Sequence, residues 1–334
     1  TMTMARVVRR KKLPPWALPW AVGIPILIPL AIWYIRVSSH YLRSPKTIYI
    51  VAQSGPGRLG NQLFQFASTL GIYEDRQRRN PYKDEVIFCV DGDRPFLMLE
   101  QIIAGPFPAC PENMPPTKHL WEGGYGIYTQ FDETQFCSTE TACAFTFGPY
   151  LQSYKYLQLA GKSIRTALKF KSNDLNEKAM AIVHHARTNP TTALVGIHIR
   201  RADILQIDYL QEASINYLQE AMKHFETEFG YNVRFLVTSD DVAWCQQQQG
   251  VLFKDAVIVD SSNDDPILDL VILSHCDHMI LTVGTFGWWA AWLGMAEEVV
   301  YNLNAIVLDH ATNRGQVRLN DYYPKIWKGI TAAG

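Results

Sequence analysis

The chain has 334 residues, and 48% of them are hydrophobic, which is typical of a globular protein with about two domains. Its 31 Lys and Arg residues and 32 Asp and Glu residues give a formal net charge of −1. This balance excludes the strongly basic surface expected of a nucleic-acid-binding protein.

The first predicted element is a transmembrane anchor at residues 16–35. These residues carry no charge, and at ~1.5 Å per residue they span roughly 30 Å, the thickness of a bilayer core. A basic cluster precedes them and predicts a cytosolic N-terminus: Arg6, Arg9, Arg10, Lys11 and Lys12. We expect a cytosolic tail (1–15), an anchor in the lipid bilayer and a short stem (36–46). A cleaved signal peptide is the alternative, but no clear cleavage site is present.

Strand and helix patterns alternate beyond the stem. Strands are predicted at 47–52, 85–90, 194–199, 233–238, 257–259, 278–283 and 299–302. Helices are predicted at 61–76, 152–169, 173–185, 214–229, 267–276 and 287–295. This alternation predicts an α/β fold with parallel sheets, which two Rossmann-like domains fit at 47–172 and 173–334. The loop-rich segment 105–126 is a candidate for contacts with an acceptor substrate.

Two arginines, Arg200 and Arg201, directly follow the predicted strand 194–199, which begins within the apolar run 192–197. Adjacent guanidinium groups at the end of a buried strand are costly unless an anion meets them. Their planar donor geometry matches phosphate oxygens, so a diphosphate site is one interpretation. A structural pair between Arg201 and Asp203 is the other.

A glycine-rich loop connects the first predicted strand to the first predicted helix. Gly55, Gly57 and Gly60 fit the G-x-G-x-x-G pattern of dinucleotide-binding proteins. Pro56 occupies the first variable position, and no acidic residue ends the next strand at the expected distance, so that class is disfavoured. Small residues at a helix N-terminus still allow backbone N–H groups to approach an anion.

Three other positions have both a functional and a structural interpretation. Thr285, which opens a predicted helix, could bind a phosphate with its hydroxyl and nearby N–H groups or cap that helix, and both roles are compatible. Asp240 either caps a helix or binds a base or ribose, and we rank capping first. His198 either faces a nucleotide base or is a buried strand residue. The tryptophans of the last predicted helix are expected in the core: Trp288, Trp289 and Trp292.

Asp91 and Asp93 flank a glycine and fit the D-x-D pattern of metal-dependent glycosyltransferases. Asp-Gly at a strand end also favours a tight turn, and we predict the turn. Among the six cysteines, Cys137 and Cys143 flank a short polar loop and could form a disulfide, whereas Cys245 and Cys276 are expected as buried thiols. No cysteine has zinc-ligand spacing.

Three segments together resemble the α-1,2-fucosyltransferases, glycosyltransferase family 11. They are 57–62 (GRLGNQ), 198–203 (HIRRAD) and 269–291. Secondary matches lie at 148–157 and 236–245, and the resemblance extends from about residue 48 to 327. It implies a GT-B-like pair of Rossmann-like domains and an inverting transfer of fucose from GDP-fucose to the 2-hydroxyl of a terminal galactose. It further implies transfer that needs neither a metal nor a cofactor. With the predicted anchor, we expect a type II protein of the Golgi membrane.

The resemblance assigns roles to most candidate residues. The donor's diphosphate and sugar are expected at Gly57, Arg58, Gly60 and Asn61, the base at His198, and further donor contacts at Asp240, Thr285 and Phe286. Arg200 and Arg201 would stabilise charge on the leaving phosphate. Asp203 and Asp208 are candidates for the general base. Two alternatives remain open: a manganese-dependent D-x-D transferase and an inactive, membrane-anchored carbohydrate-binding homologue.

Overall fold

The computed structural model describes residues 44–120, 123–131, 137, 141–260 and 266–331. The predicted anchor lies outside the described residues. Within those described ranges, no helix has both the length and the apolar character needed to cross a bilayer. The described residues of the ranges 46–80 and 85–331 belong to one compact unit.

The first sheet has four parallel strands in the order β2-β1-β4-β3. Its strands are β1 (Thr47–Ala52), β2 (Glu85–Val90), β3 (Thr117–Leu120) and β4 (Ala142–Phe147). The helices that accompany it are α1 (Leu59–Arg78), α2 (Leu97–Ile102), α3 (Tyr154–Ala160) and α4 (Ser163–Ala167). Because β1 pairs with β2 on one side and β4 on the other, the sheet reverses its winding direction between β1 and β4.

The second sheet has six parallel strands in the order β10-β9-β8-β5-β6-β7. They are β5 (Ala193–Ile199), β6 (Val233–Ser239), β7 (Ala256–Ile258), β8 (His278–Leu281), β9 (Glu298–Asn302) and β10 (Lys328–Ile330). The helices are α5 (Asn173–Ala186), α6 (Ile215–Phe229), α7 (Val242–Gln247), α8 (Pro266–Ser274), α9 (Thr285–Gly294) and α10 (Leu319–Tyr322). This sheet reverses its winding direction between β5 and β8.

The predicted α/β class and parallel sheets are confirmed, because strands covered on both faces form continuous apolar runs. In β5, six of the seven residues are buried, as expected for a central parallel strand. Two details of the prediction are wrong. The single helix predicted at 152–169 is two helices, α3 and α4, because the chain turns at Gly161 with φ of +58°. The strands β3, β4 and β10 were not predicted.

The helix α1, which follows β1 of the first sheet, packs against α9, which follows β8 of the second sheet. Phe64 of α1 packs against Trp288 and Trp289 of α9, with ring centroids 4.5 and 4.9 Å apart. All three side chains are fully buried, which confirms that Trp288 and Trp289 belong to the core. Trp292 is only partly buried, and the guanidinium of Arg165 stacks on its ring at 3.6 Å. This apolar contact fixes the starts of both helices relative to each other.

Four of the six cysteines have the bonding state that the sequence indicated. Cys137 and Cys143 form the expected disulfide, and Cys245 and Cys276 are free and buried. Burial raises the pKa of the Cys245 thiol to about 11, so it is protonated at neutral pH. A second disulfide, between Cys89 and Cys110, was not predicted.

Candidate active site

The loops that follow β1, β4, β5 and β8 line one cavity of about 200 Å³. In parallel sheets, ligands bind outside the carboxyl ends of the strands, where the winding direction reverses. Here both reversal points contribute to the same cavity, which makes it the candidate active site. Its lining residues are Asn61, Tyr125, Tyr150, Gln152, Arg200, Ile207, Tyr209, Leu210, Val283, Gly284, Thr285, Ile306 and Tyr322.

Arg200 provides the positive charge of the cavity. Its Nε and Nη2 atoms donate to the two carboxylate oxygens of Asp203, each at 2.9 Å. Burial by itself lowers the pKa of Arg200, but the hydrogen bonds and charge of Asp203 outweigh it and the pKa is raised. The side chain lies against Gly284, where an added Cβ would be 2.6 Å from Nη1. A glycine is therefore required for the approach of this guanidinium to the start of α9.

Asp203 orients Arg200 rather than Arg201, so the alternative interpretation of an Arg201–Asp203 pair is wrong. Asp203 also accepts a hydrogen bond from Arg58, which precedes α1. Hydrogen bonding to Arg200 lowers the pKa of Asp203 more than burial raises it. A carboxylate with a lowered pKa is a weak base, which disfavours Asp203 as the general base. Asp208 is exposed and does not line the cavity itself.

Arg201 points away from the cavity. Its guanidinium pairs with Glu212 and with Asp241, the latter at 3.3 Å, and lies 4.7 Å from the ring centroid of Trp244. These two carboxylates and an aromatic face satisfy the charge locally. The two neighbouring arginines therefore have different surroundings, which their sequence did not predict.

Asp240 holds the loop after β5 instead of capping a helix. Its Oδ1 accepts hydrogen bonds from the backbone N–H groups of Arg201 and Ala202, at 2.7 and 3.2 Å. The residue that caps α7 is Asp241, which accepts from the backbone N–H of Trp244 at 3.1 Å. The predicted cap at Asp240 is therefore wrong by one residue. Asp240 fixes the backbone at the arginine pair.

Asn61 lies in the first turn of α1 and faces the start of α9. Its Oδ1 accepts hydrogen bonds from Thr285 Oγ1 at 3.0 Å and from Gln152 Nε2 at 2.9 Å. Its Nδ2 would clash with a Cβ at Gly57, whose φ is +108°. A glycine at position 57 leaves room for the Asn61 amide, and this amide in turn bonds to Thr285 and Gln152. The amide joins the loops that follow β1, β4 and β8.

Gly60 allows the two helix N-termini to meet. A Cβ on Gly60 would lie 2.5 Å from Thr285 Oγ1 and 2.9 Å from the carbonyl carbon of Thr285. The N-cap of α9 is Gly284, and the Thr285 hydroxyl donates to Asn61 instead, so the predicted cap by Thr285 is wrong. Helix N-termini attract anions because their N–H groups are unpaired and the helix dipole is positive there. Two such ends, from α1 and α9, meet beside Arg200.

His198 is buried at the carboxyl end of β5, and its ring lies 4.8 Å from that of Phe286. Burial, with a smaller contribution from the charge of Arg200, lowers its pKa to about 3, so the imidazole is neutral at physiological pH. Its Nδ1 has no hydrogen-bond partner among the described residues, and neither does the hydroxyl of Thr238 on the neighbouring strand. Buried polar atoms of this kind normally have partners.

Tyrosines form the part of the cavity that the sequence did not predict. Tyr150 and Leu151, directly after β4, both have positive φ values, of +77° and +46°. Non-glycine residues rarely adopt this conformation, and it concentrates at functional sites. The Tyr150 ring contacts that of Tyr125 at 5.8 Å, and Tyr125 contacts Tyr209 at 6.3 Å. Tyr150 lies within the secondary match at 148–157, but no role was predicted for it because the preceding strand β4 was overlooked.

The D-x-D segment is a turn, as predicted. The backbone N–H of Asp93 donates to Asp91 Oδ1 at 3.0 Å, which is a typical Asx turn. In the described part of the chain, one group of side chains is close enough to hold a metal: His224, Glu228 and Glu298. Glu298 begins β9, so this group lies at the amino ends of the strands, whereas the cavity lies at their carboxyl ends.

The sequence of this chain matches the family described as Glycosyl transferase family 11 over residues 128–331. The chain belongs to this family, which confirms the resemblance noted from its motifs. A galactoside 2-alpha-L-fucosyltransferase SEC1 of Bos taurus is 34% identical over 127 residues, which are 36% of this chain and 34% of the relative. The galactoside alpha-(1,2)-fucosyltransferase 1 of Bos taurus is 27% identical over 291 residues, 83% of this chain and 74% of the relative.

The match to the first of these relatives thus spans about a third of its length, and the match to the second about three quarters. Among solved structures, POFUT1 in complex with GDP is similar with a TM-score of 0.47 and 13% identity, over 75% of this chain and 95% of that chain.

Proposed function

We propose that this protein is a galactoside 2-alpha-L-fucosyltransferase that uses GDP-fucose as its donor and a terminal galactose as its acceptor. The observation that carries the proposal is the meeting of two helix N-termini with the Arg200 guanidinium in one cavity. Such a site suits a diphosphate. Membership of glycosyl transferase family 11 and the names of the relatives support fucose as the transferred sugar and galactose as the acceptor.

The reaction would proceed by direct displacement with inversion. The oxygen of the galactose 2-hydroxyl forms a bond to the anomeric carbon of fucose while the bond from that carbon to the phosphate oxygen breaks. GDP leaves with the electron pair, and the hydroxyl proton passes to a base. Arg200 would stabilise the negative charge that grows on the leaving phosphate, a contribution that is largest in the transition state. Asp203 is a positioning residue because it orients Arg200.

The remaining donor contacts belong to the same proposal. Asn61 and Thr285 would bind the phosphate or the sugar, and the loop of Gly57, Arg58 and Gly60 would hold the start of α1 close to both. His198 and Phe286 would contact the base. Arg201 and Asp240 would act less directly, since Asp240 holds the backbone of the loop that carries the arginines.

The cellular setting is proposed from the sequence. The uncharged residues 16–35 and the preceding basic cluster support a type II signal-anchor protein of the Golgi membrane with its catalytic part in the lumen. Protease added to sealed microsomes should then spare everything beyond about residue 36. Digestion of the C-terminal part from outside would contradict this topology.

The activity is tested by incubating the full-length protein in detergent with GDP-fucose and a panel of β-galactosides. We expect an α-1,2-linked product, identified by NMR, and undiminished turnover in excess EDTA. Loss of activity in EDTA that manganese restores would favour the D-x-D alternative instead. Binding of galactosides without any transfer would favour an inactive carbohydrate-binding homologue.

A further inference from the structure

The residues that line the cavity form two chemically different groups. The first contains polar and anion-binding residues that contact one another in pairs, Asn61 with Thr285 and Arg200 with Gly284. The second contains tyrosines and the aliphatic residues Ile207, Leu210 and Ile306, of which Leu210 and Ile306 pair with each other. At about 200 Å³ the cavity is smaller than the roughly 300–1,000 Å³ of sites that enclose drug-sized ligands. It can therefore enclose only a part of a nucleotide sugar.

The aliphatic wall, defined here as Ile207, Leu210 and Ile306, is built from two chain segments that pair with each other. Leu210 and Ile306 form an antiparallel bridge, flanked by hydrogen bonds from Gln211 N to the Ala305 carbonyl and from Val307 N to the Tyr209 carbonyl, both 2.9 Å. The pairing ties the loop after β5 to the loop after β9.

Two backbone N–H groups of this wall already have partners. The backbone N–H of Ile207 donates to the Ile204 carbonyl at 2.9 Å, and that of Leu210 donates to the Ile207 carbonyl at 3.0 Å. The neighbouring Tyr125 hydroxyl donates to Asn313 Oδ1 at 2.7 Å. The three side chains of the wall offer only hydrocarbon to a ligand.

The sugar that is transferred must lie beside the phosphate site, because a single oxygen joins it to the phosphorus. With the diphosphate held by Arg200 and the two helix N-termini, the sugar ring occupies the remainder of the cavity, against the aliphatic wall. L-Fucose is 6-deoxy-L-galactose, so its C6 is a methyl group where L-galactose carries a hydroxymethyl group. A buried hydroxyl without a hydrogen-bond partner is strongly disfavoured, whereas a methyl group gains from burial.

We propose that the aliphatic wall receives the C6 methyl group of the donor sugar and thereby selects a 6-deoxy sugar over its 6-hydroxy counterpart. This inference rests on the proposed function and adds the residues that determine its donor specificity. Apolar pockets reject an added hydroxyl by about a hundredfold. We therefore expect the wild-type protein to prefer GDP-L-fucose over GDP-L-galactose by about that factor in kcat/KM with the same acceptor.

Two pairs of variants test the proposal. Ile306→Thr and Ile306→Val have nearly the same shape and differ in one hydroxyl group. Leu210→Asn replaces hydrocarbon by an amide of similar size, and Leu308→Asn makes the same change at an exposed leucine outside the cavity. We expect the donor preference to fall roughly tenfold in Ile306→Thr and Leu210→Asn, since each supplies a partner for the 6-hydroxyl. Ile306→Val and Leu308→Asn should keep the wild-type preference.

The measurements are kcat/KM for both donors, the KM of the acceptor, and the affinity of each donor by calorimetry. An unchanged preference in folded Ile306→Thr and Leu210→Asn would overturn the proposal. So would a change confined to the acceptor KM, which would place the acceptor against the wall.

The binding measurement separates this inference from the proposed function. Preferential binding of GDP-L-fucose without transfer to any galactoside would contradict the proposed acceptor. If the two polar variants then lost that preference in binding, the result would still support the role of the aliphatic wall in donor selection. Failure of the wild-type protein to bind either donor would overturn both.

Discussion

Two arginine–aspartate pairs lie near opposite ends of β5, a central strand of the second sheet. Arg187 donates to both carboxylate oxygens of Asp277 at 2.7 Å, and Arg200 does the same to Asp203 at 2.9 Å. In both pairs the pKa of the aspartate is lowered and that of the arginine is raised. Local geometry and electrostatics therefore do not distinguish them.

The surroundings do distinguish them. Asp277 also accepts from the backbone N–H of Leu194, and Arg187 also donates to the carbonyl of Thr192, so that pair fastens the start of β5. Arg200 borders the cavity and meets the start of α9, and its partner Asp203 is shared with Arg58 beside α1. A perturbed pKa marks a functional site only when the group also faces a ligand.

The largest effect is expected from Arg200→Ala. It should reduce turnover by on the order of a hundredfold or more, because the guanidinium acts most strongly on the charge of the transition state. Lysine should restore little, since it lacks the planar pair of donors. Turnover, GDP affinity and melting temperature are measured on each variant.

Arg187→Ala is the matched control for this prediction. It should lower the melting temperature while the specific activity of the folded protein stays near that of the wild type. Equal losses of specific activity in Arg187→Ala and Arg200→Ala would show that the two arginine–aspartate pairs do not differ in function. Near-normal turnover of folded Arg200→Ala would remove Arg200 from the proposed mechanism.

Asn61→Ala should have the next largest effect. Its amide joins Gln152 and Thr285 at the meeting of α1 and α9, and a hydrogen bond to a charged ligand contributes about 1.5–3 kcal/mol. Donor affinity should therefore fall roughly ten- to hundredfold, which calorimetry with GDP-fucose measures. Unchanged affinity and turnover would show that this loop does not bind the donor.

Arg201→Ala should reduce turnover less than Arg200→Ala, by roughly tenfold or less on the scale of a single hydrogen bond to a charged group. The reason is that Glu212 and Asp241 already balance its charge outside the cavity. The comparison requires the same turnover and GDP-affinity assays on both variants. If Arg201→Ala lost as much turnover as Arg200→Ala, Arg201 would have to separate from Glu212 and Asp241 when the donor binds.

The smallest effect concerns stability in acid. Asp203 and Asp277 have pKa values below that of an unfolded aspartate, about 3.9, so each stabilises the fold above that pH and ceases to do so as the pH falls through the folded pKa. Asp277→Asn and Asp203→Asn should both reduce the difference in unfolding free energy between pH 7 and pH 3. The reduction should be greater for Asp277, which also holds the Leu194 amide. Denaturant titration at both pH values measures it.

The sequence predicted the elements whose signal is local. Continuous apolar runs identified β1, β5, β6, β8 and β9, because central parallel strands are buried on both faces, and also the edge strand β2. The Asp91–Asp93 turn and the buried Trp288 and Trp289 likewise followed from residue type and spacing. The motifs also placed Asn61, Arg200 and Thr285 at strand ends or helix starts, and the structure brings these three to one cavity.

The order of the strands was decided only by the tertiary structure. The strand β4 inserts beside β1, and this insertion brings Gln152 to Asn61 and Tyr150 into the same cavity. The partners of Asp203 also depend on the fold, since Arg58 is 145 residues away along the chain. Periodicity specifies which side chains are buried, but strand order and ion-pair partners depend on contacts between distant segments. The physical reason is that burial is set by each residue's own hydrophobicity, whereas a site needs several strand ends at one place.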